Sequence, residues 1–192
     1  MMASQVWARQ TRFLHFGLAT TITLQLMLSL VMEGPGHRNR SAAEALFFEA
    51  HEWLGMAALL VVIAHWIWSL SAGDNSNIRH LFPWGGEARR GLIADIALLK
   101  QMKLPEGGGQ GGLPGFIHGL GFLAATAMAI TGGVLFFTLP EDGSKNAIAH
   151  DFHEIHEFFA NFIWAYWGGH LAAAFLHKRM GHDTVKNMFN FR

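Results

Sequence analysis

Four long apolar runs divide this chain of 192 residues and limit what it can fold into. They cover residues 13–32, 51–70, 116–139 and 154–177. Each is long enough to cross the hydrocarbon core of a bilayer, which takes about 20 helical residues. In lipid the backbone polar groups must bond within the segment, so such runs fold as helices. The sequence therefore predicts an all-α integral membrane four-helix bundle, with residues 1–192 forming a single domain.

The composition supports a membrane setting. Hydrophobic residues make up 51% of the chain, including 16 Phe and 7 Trp, which is more than an ordinary soluble domain of this size carries. Most of the charged residues fall in the gaps between the runs. The first run is long and lacks a small-residue cleavage site, which favours a retained span over a signal peptide. We expect membrane lipid, and no nucleic acid, among the partners of this chain.

The second gap contains an amphipathic segment between Glu87 and Lys103. Its apolar residues recur at helical spacing and are expected to face the hydrocarbon: Leu92, Ile93, Ile96 and Leu99. Its basic residues are expected to face the lipid headgroups: Arg89, Arg90, Lys100 and Lys103. This pattern is typical of an interfacial amphipathic helix, which we predict in the second loop.

The lysines and arginines predict the orientation of the four spans. Two precede the first run, five lie in the second loop and four lie in the tail, whereas the other two loops hold two and one. Positive residues concentrate on the cytoplasmic side of a membrane. We therefore expect a multi-pass protein of the bacterial inner membrane with both termini in the cytoplasm.

Histidines recur at matching positions in the spans. His156 and His170 are fourteen residues apart, as are His51 and His65. On a helix this spacing amounts to about four turns, so each pair lies near one face and roughly 21 Å apart along the axis. With the orientation above, the histidines of the spans form two layers. The outer layer contains His51 and His156, and the inner layer contains His15, His65, His118 and His170.

The two layers indicate bound cofactors. Ionisable side chains inside a bilayer are costly and generally functional. The chain has no cysteine, which excludes thiolate-bound iron–sulfur clusters and a C-x-x-C-H haem attachment. There is also no H-E-x-x-H motif for a zinc hydrolase. Helix bundles bind haem in their cores between histidines from facing helices, so two layers predict two haems. The simpler alternative is that each histidine only hydrogen-bonds a neighbouring helix.

Several motifs resemble a known family. They are RFLHF in the first span, AHEWLG in the second, HGLGFLAATAMAITGG in the third, and EIHE and GGHLAAAFLH in the fourth. Together they resemble the prokaryotic cytochrome b561 family, which is related to the cytochrome b subunits of nickel–iron hydrogenases and formate dehydrogenases. The resemblance implies a membrane cytochrome b domain with two haem b groups. It implies His15 and His170 as axial iron ligands of the inner haem, and His51 and His156 as those of the outer haem.

Two further histidines have alternative roles. His65 stands where family members often have an arginine, and as an alternative to His15 it could be the partner of His170. Otherwise His65 contacts a haem propionate or a quinone headgroup, or only packs. His118 is a candidate for a propionate or quinone contact near the inner haem, and packing is the competing explanation.

The resemblance implies electron transfer across the membrane between the quinone pool and a periplasmic partner, such as a cytochrome or a dehydrogenase subunit. No catalytic residue is expected for such a relay. Two alternatives stand beside it. One is a self-contained quinol oxidoreductase that uses superoxide or oxygen, and the other is a non-redox membrane anchor.

Overall fold

The computed structural model describes residues 8–71, 78–82, 85–101, 103, 112–144, 146–181 and 184–189. Within these ranges the chain is helical and contains no β-strand. Four helices are long: α1 (Arg9–Ser29), α2 (Ala42–Ser71), α5 (Gly112–Thr138) and α6 (Ala147–Arg179). Three are short: α3 (Ile78–Leu81), α4 (Gly86–Lys100) and α7 (Thr184–Phe189). The all-α prediction is confirmed, and a helix lies within the predicted amphipathic segment of the second loop.

The helix ends are set by local hydrogen bonds. Before α2, the Ser41 N–H donates to the Glu44 carboxylate at 2.7 Å, and the Glu44 N–H donates to the Ser41 hydroxyl at 3.2 Å. This reciprocal pair is a capping box. The helix therefore starts at Ala42, nine residues before the second apolar run begins. At α6 the Asn146 side chain accepts from the N–H groups of Ile148 and Ala149.

Helices α2 and α5 are long and apolar enough to cross a membrane. Only 17% of the most apolar window of α2, and 33% of that of α5, is buried inside the protein. The core helix of a soluble protein would be largely buried, so this exposure indicates contact with lipid. Large apolar side chains such as Leu60, Leu70 and Phe137 are more than 60% exposed. The chain is a helical membrane bundle.

The long helices pack in a row in which α1 contacts α2, α2 contacts α5, and α5 contacts α6. Helix α6 reaches α1 through longer side chains, as in the 3.0 Å hydrogen bond from the Trp167 indole to the Thr23 hydroxyl. A small apolar core at mid-height joins α1, α5 and α6. It consists of Leu26, Ala124, Ala125 and Ile163.

Helix α4 is attached to the start of α5. The Leu113 N–H, an unsatisfied donor of the first turn of α5, donates to the Asp95 carboxylate at 2.9 Å. Gly112 has φ +64°, and a Cβ there would collide with the same carboxylate. On α4 the side chains of Ile93, Ile96 and Leu99 are exposed, which leaves an apolar face toward the surroundings.

Candidate functional site

Two histidines from different helices lie side by side near the starts of α2 and α6. The ring centres of His51 and His156 are 6.4 Å apart, and their planes are inclined at 84°. The His51 carbonyl accepts a hydrogen bond from the Gln25 amide of α1 at 3.0 Å. Three long helices thus converge at this pair, which we call the upper pair.

Helix α5 closes over His156 of the upper pair. The Thr131 hydroxyl oxygen lies 2.8 Å from His156 Nδ1. The next residue is Gly132, where a Cβ would come within 3.2 Å of the imidazole Cε1. A glycine here lets the α5 backbone approach the ring.

A second pair lies toward the other end of the bundle. The ring centres of His15 on α1 and His170 on α6 are 6.3 Å apart, with planes inclined at 54°. The Tyr166 ring stacks on His170 at 5.6 Å with an interplanar angle of 14°. A side chain at Gly121 would overlap the Tyr166 ring, so this glycine makes room for the stack. We call His15 and His170 the lower pair.

His118 and His65 also lie toward the lower end of the bundle. The ring centre of His118 is 5.0 Å from that of His170, and its Nδ1–H donates to the Pro114 carbonyl. His65 is 8% exposed, with Nδ1 3.1 Å from the Ser69 hydroxyl and its ring centre 4.5 Å from that of Phe122.

The tail also reaches the lower pair. Phe189 of α7 packs edge-on against His15 at 5.7 Å and contacts Phe16. The helical segment α7 therefore covers part of the lower end of the bundle.

The two pairs occupy two levels of one helix. Helix α6 is uninterrupted from Ala147 to Arg179, so His156 and His170 are separated by about 21 Å along its axis. The apolar core at mid-height, which includes Ile163, lies between the two levels. The layers inferred from sequence therefore correspond to two groups of neighbouring imidazoles.

The spacing of the rings is a test of whether these residues fit a haem. A metal–imidazole bond is about 2.0 Å long, and the bonded nitrogen lies roughly 1.15 Å from its ring centre, so two imidazoles on opposite sides of one metal would have centres about 6.3 Å apart. The observed separations are 6.3 Å for the lower pair and 6.4 Å for the upper pair. In the separation of their ring centres, both pairs fit two imidazoles bound to one iron.

The hydrogen bonding of these histidines is a second test. Among the residues that the structure describes, His15 Nδ1 and His51 Nδ1 are buried without a hydrogen-bond partner. A histidine whose purpose was to join two helices would be expected to use such an atom. Hydrogen bonding between helices through Nδ1 therefore does not explain why His15 and His51 are buried.

Sequence reasoning did not identify Thr131 and Gly132 as neighbours of His156. They stand 25 and 24 residues before it, on another helix, so no spacing within one helix relates them to it. Gly132 belongs to the third-span motif HGLGFLAATAMAITGG, whose small residues predict close helix packing without naming the partner. A glycine in a membrane helix is the signal that could have predicted close packing of α5 against a histidine.

Comparison with known proteins identifies a family for this chain. A family model described as prokaryotic cytochrome b561 matches residues 6–191. No curated protein and no solved structure matches the chain. The match covers all four long helices and both histidine pairs. The chain belongs to the prokaryotic cytochrome b561 family, whose members are membrane b-type cytochromes that bind haem b and transfer electrons.

Proposed function

We propose that this protein is a di-haem cytochrome b that carries electrons across the bacterial inner membrane. It exchanges them between the quinone pool and a redox partner in the periplasm. The upper pair, His51 and His156, ligates one haem b, and the lower pair, His15 and His170, ligates the other. Family membership supports a quinone and a redox partner as the reactants.

One observation supports this proposal above all others. Two pairs of imidazoles, each drawn from two helices, have ring centres 6.3 and 6.4 Å apart at two levels of the bundle. Both separations match the value of about 6.3 Å expected for two imidazoles on one iron. A single pair would serve one haem, whereas two pairs at different depths suit a relay.

Haem b, when bound, takes up and releases one electron at its iron. The protein residues supply the ligands and their surroundings. Because α6 contributes one ligand to each pair, it keeps the two sites at a fixed separation along its axis. The side chains packed between the levels, including Met128 and Trp167, exclude water from the region between the sites. A dry surrounding and the axial ligands together tune the potential of each site.

The four long helices are the spans of the proposed protein. Helices α1 and α6 contain more polar residues than α2 and α5. Those of α6 include its two proposed ligands and the acidic residues Asp151, Glu154 and Glu157. The distribution of lysine and arginine supports cytoplasmic termini. The upper pair then lies toward the periplasm, and the lower pair lies toward the cytoplasm.

The test is the haem content of the purified full-length protein. We expect two haems b per chain by pyridine haemochrome analysis, and one haem in each of the variants His156→Leu and His170→Leu. The double variant should bind none. His37 is an exposed loop histidine paired with Glu33, so His37→Leu is the matched control and should retain two haems.

Some results would contradict the proposal. A colourless wild-type protein, expressed with ample haem supply, would favour the non-redox anchor. Reduction by quinol followed by turnover with superoxide, without any protein acceptor, would favour the self-contained oxidoreductase.

A further inference from the structure

Thr131 has a single hydroxyl proton and three polar neighbours. Its oxygen lies 2.8 Å from the Ala127 carbonyl, 3.1 Å from the Met128 carbonyl and 2.8 Å from His156 Nδ1. Carbonyl oxygens can only accept hydrogen bonds. Because both carbonyls belong to the preceding turn of α5, the Thr131 proton is directed at its own helix.

This arrangement favours one proton position on His156. With the Thr131 proton donated to a carbonyl of α5, the hydroxyl oxygen accepts from the imidazole. That assignment puts the proton of neutral His156 on Nδ1 and leaves the lone pair on Nε2. A neutral imidazole with a free Nε2 is the form that binds a metal.

We propose that Thr131 is a positioning residue that fixes both the tautomer and the rotation of His156 for ligation of the upper haem. This inference rests on the proposed function, because it takes His156 to be an iron ligand. By accepting from Nδ1–H, Thr131 also makes the imidazole a stronger electron donor, which favours the oxidised iron and lowers the potential of that haem.

The two histidines of the upper pair differ in the hydrogen bonding of their Nδ1 atoms. His51 Nδ1 is buried and has no hydrogen-bond partner in the part of the chain that the structure describes. His156 in contrast is held by Thr131 on one side and packed against Gly132. The protein thus orients one imidazole of the upper pair through α5. Because His156 belongs to the upper pair alone, the effect of Thr131 should be confined to one haem.

The test compares full-length holoprotein variants of nearly equal shape. Thr131→Val keeps the branched side chain and removes the acceptor, whereas Thr131→Ser keeps the hydroxyl. Thr138→Val is the matched control, because Thr138 also donates to the carbonyl four residues earlier on α5, at 2.8 Å. The measurements are a potentiometric titration of both haems and the low-spin EPR signal of each.

We expect Thr131→Val to hold two haems, with one midpoint potential shifted upward and one EPR signal altered. Thr131→Ser and Thr138→Val should match the wild type. Unchanged potentials and EPR signals in Thr131→Val would overturn the proposal. If Thr131→Val lost a haem, retention of both at wild-type potentials in Thr131→Ser would support it, and loss in Thr131→Ser as well would overturn it. A wild type without two haems would instead refute the proposed function.

Discussion

His15 and His65 are the residues between which the sequence left a choice. The ring centre of His15 is 6.3 Å from that of His170, the separation expected for two ligands of one iron. His65 instead packs on Phe122 and lies 3.1 Å from the Ser69 hydroxyl. These contacts give His65 neighbours within the bundle, and they favour His15 as the ligand.

Substitution at these two positions separates the alternatives. We expect His15→Leu to reduce the haem content from two to one per chain, because an axial ligand is lost. His65→Leu should keep both haems, since it removes only packing and the contact with Ser69. Pyridine haemochrome analysis of the two purified variants measures the difference. The opposite pattern, with haem lost only from His65→Leu, would assign the lower site to His65.

The sequence predicted positions along a helix better than contacts between helices. The spacing of fourteen residues placed His156 and His170 on one face, because helical periodicity is a local property. The contact of Thr131 with His156, and that of Phe189 with His15, depend on how separate helices pack. No local pattern contains that information, so these neighbours were found only in the structure.

At the scale of helices, the predicted spans and the observed helices differ mainly at their ends. Helix α2 begins at Ala42 because Ser41 and Glu44 cap it, although the charges of this segment resemble those of a loop. Helix α1 ends at Ser29, whereas the first apolar run continues to Met32. Hydropathy locates the apolar part of a helix, and capping residues determine where the helix stops.

The connection between α4 and α5 depends on one carboxylate. Asp95 accepts from the Leu113 N–H, and an anion near a helix N-terminus is also favoured by the helix dipole. We expect Asp95→Ala to destabilise the protein by about 1 kcal/mol, the usual value of a lost helix cap. Asp95→Asn keeps an acceptor oxygen and should lose less.

Thermal denaturation of the detergent-solubilised protein, followed by circular dichroism, measures this effect. Ile93→Ala, at an exposed apolar position of α4, is the control for a substitution on the same helix that leaves the cap intact. Equal stability of Asp95→Ala and the wild type would show that the cap contributes nothing.

For the whole molecule, the predicted orientation is open to direct measurement. The chain has no cysteine, so single cysteines report their own positions without interference. Ser144 lies in the loop between α5 and α6, and Lys186 lies in α7. Both positions are exposed.

We expect a membrane-impermeant maleimide to label Ser144→Cys in intact spheroplasts. Lys186→Cys should be labelled only after lysis, because the positive residues favour a cytoplasmic tail. The cysteine-free parent protein is the control and should remain unlabelled. Labelling of Lys186→Cys in intact spheroplasts would reverse the proposed orientation.

Helix α6 is the last long helix in the described part of the chain, and it carries one proposed ligand of each pair. If both pairs hold haem, the ribosome completes the first three long helices before either haem can be held from both sides. The polypeptide would then be inserted first and acquire its colour last. A nascent chain that stops before α6 would remain without a locked haem, however well its earlier segments had entered the bilayer.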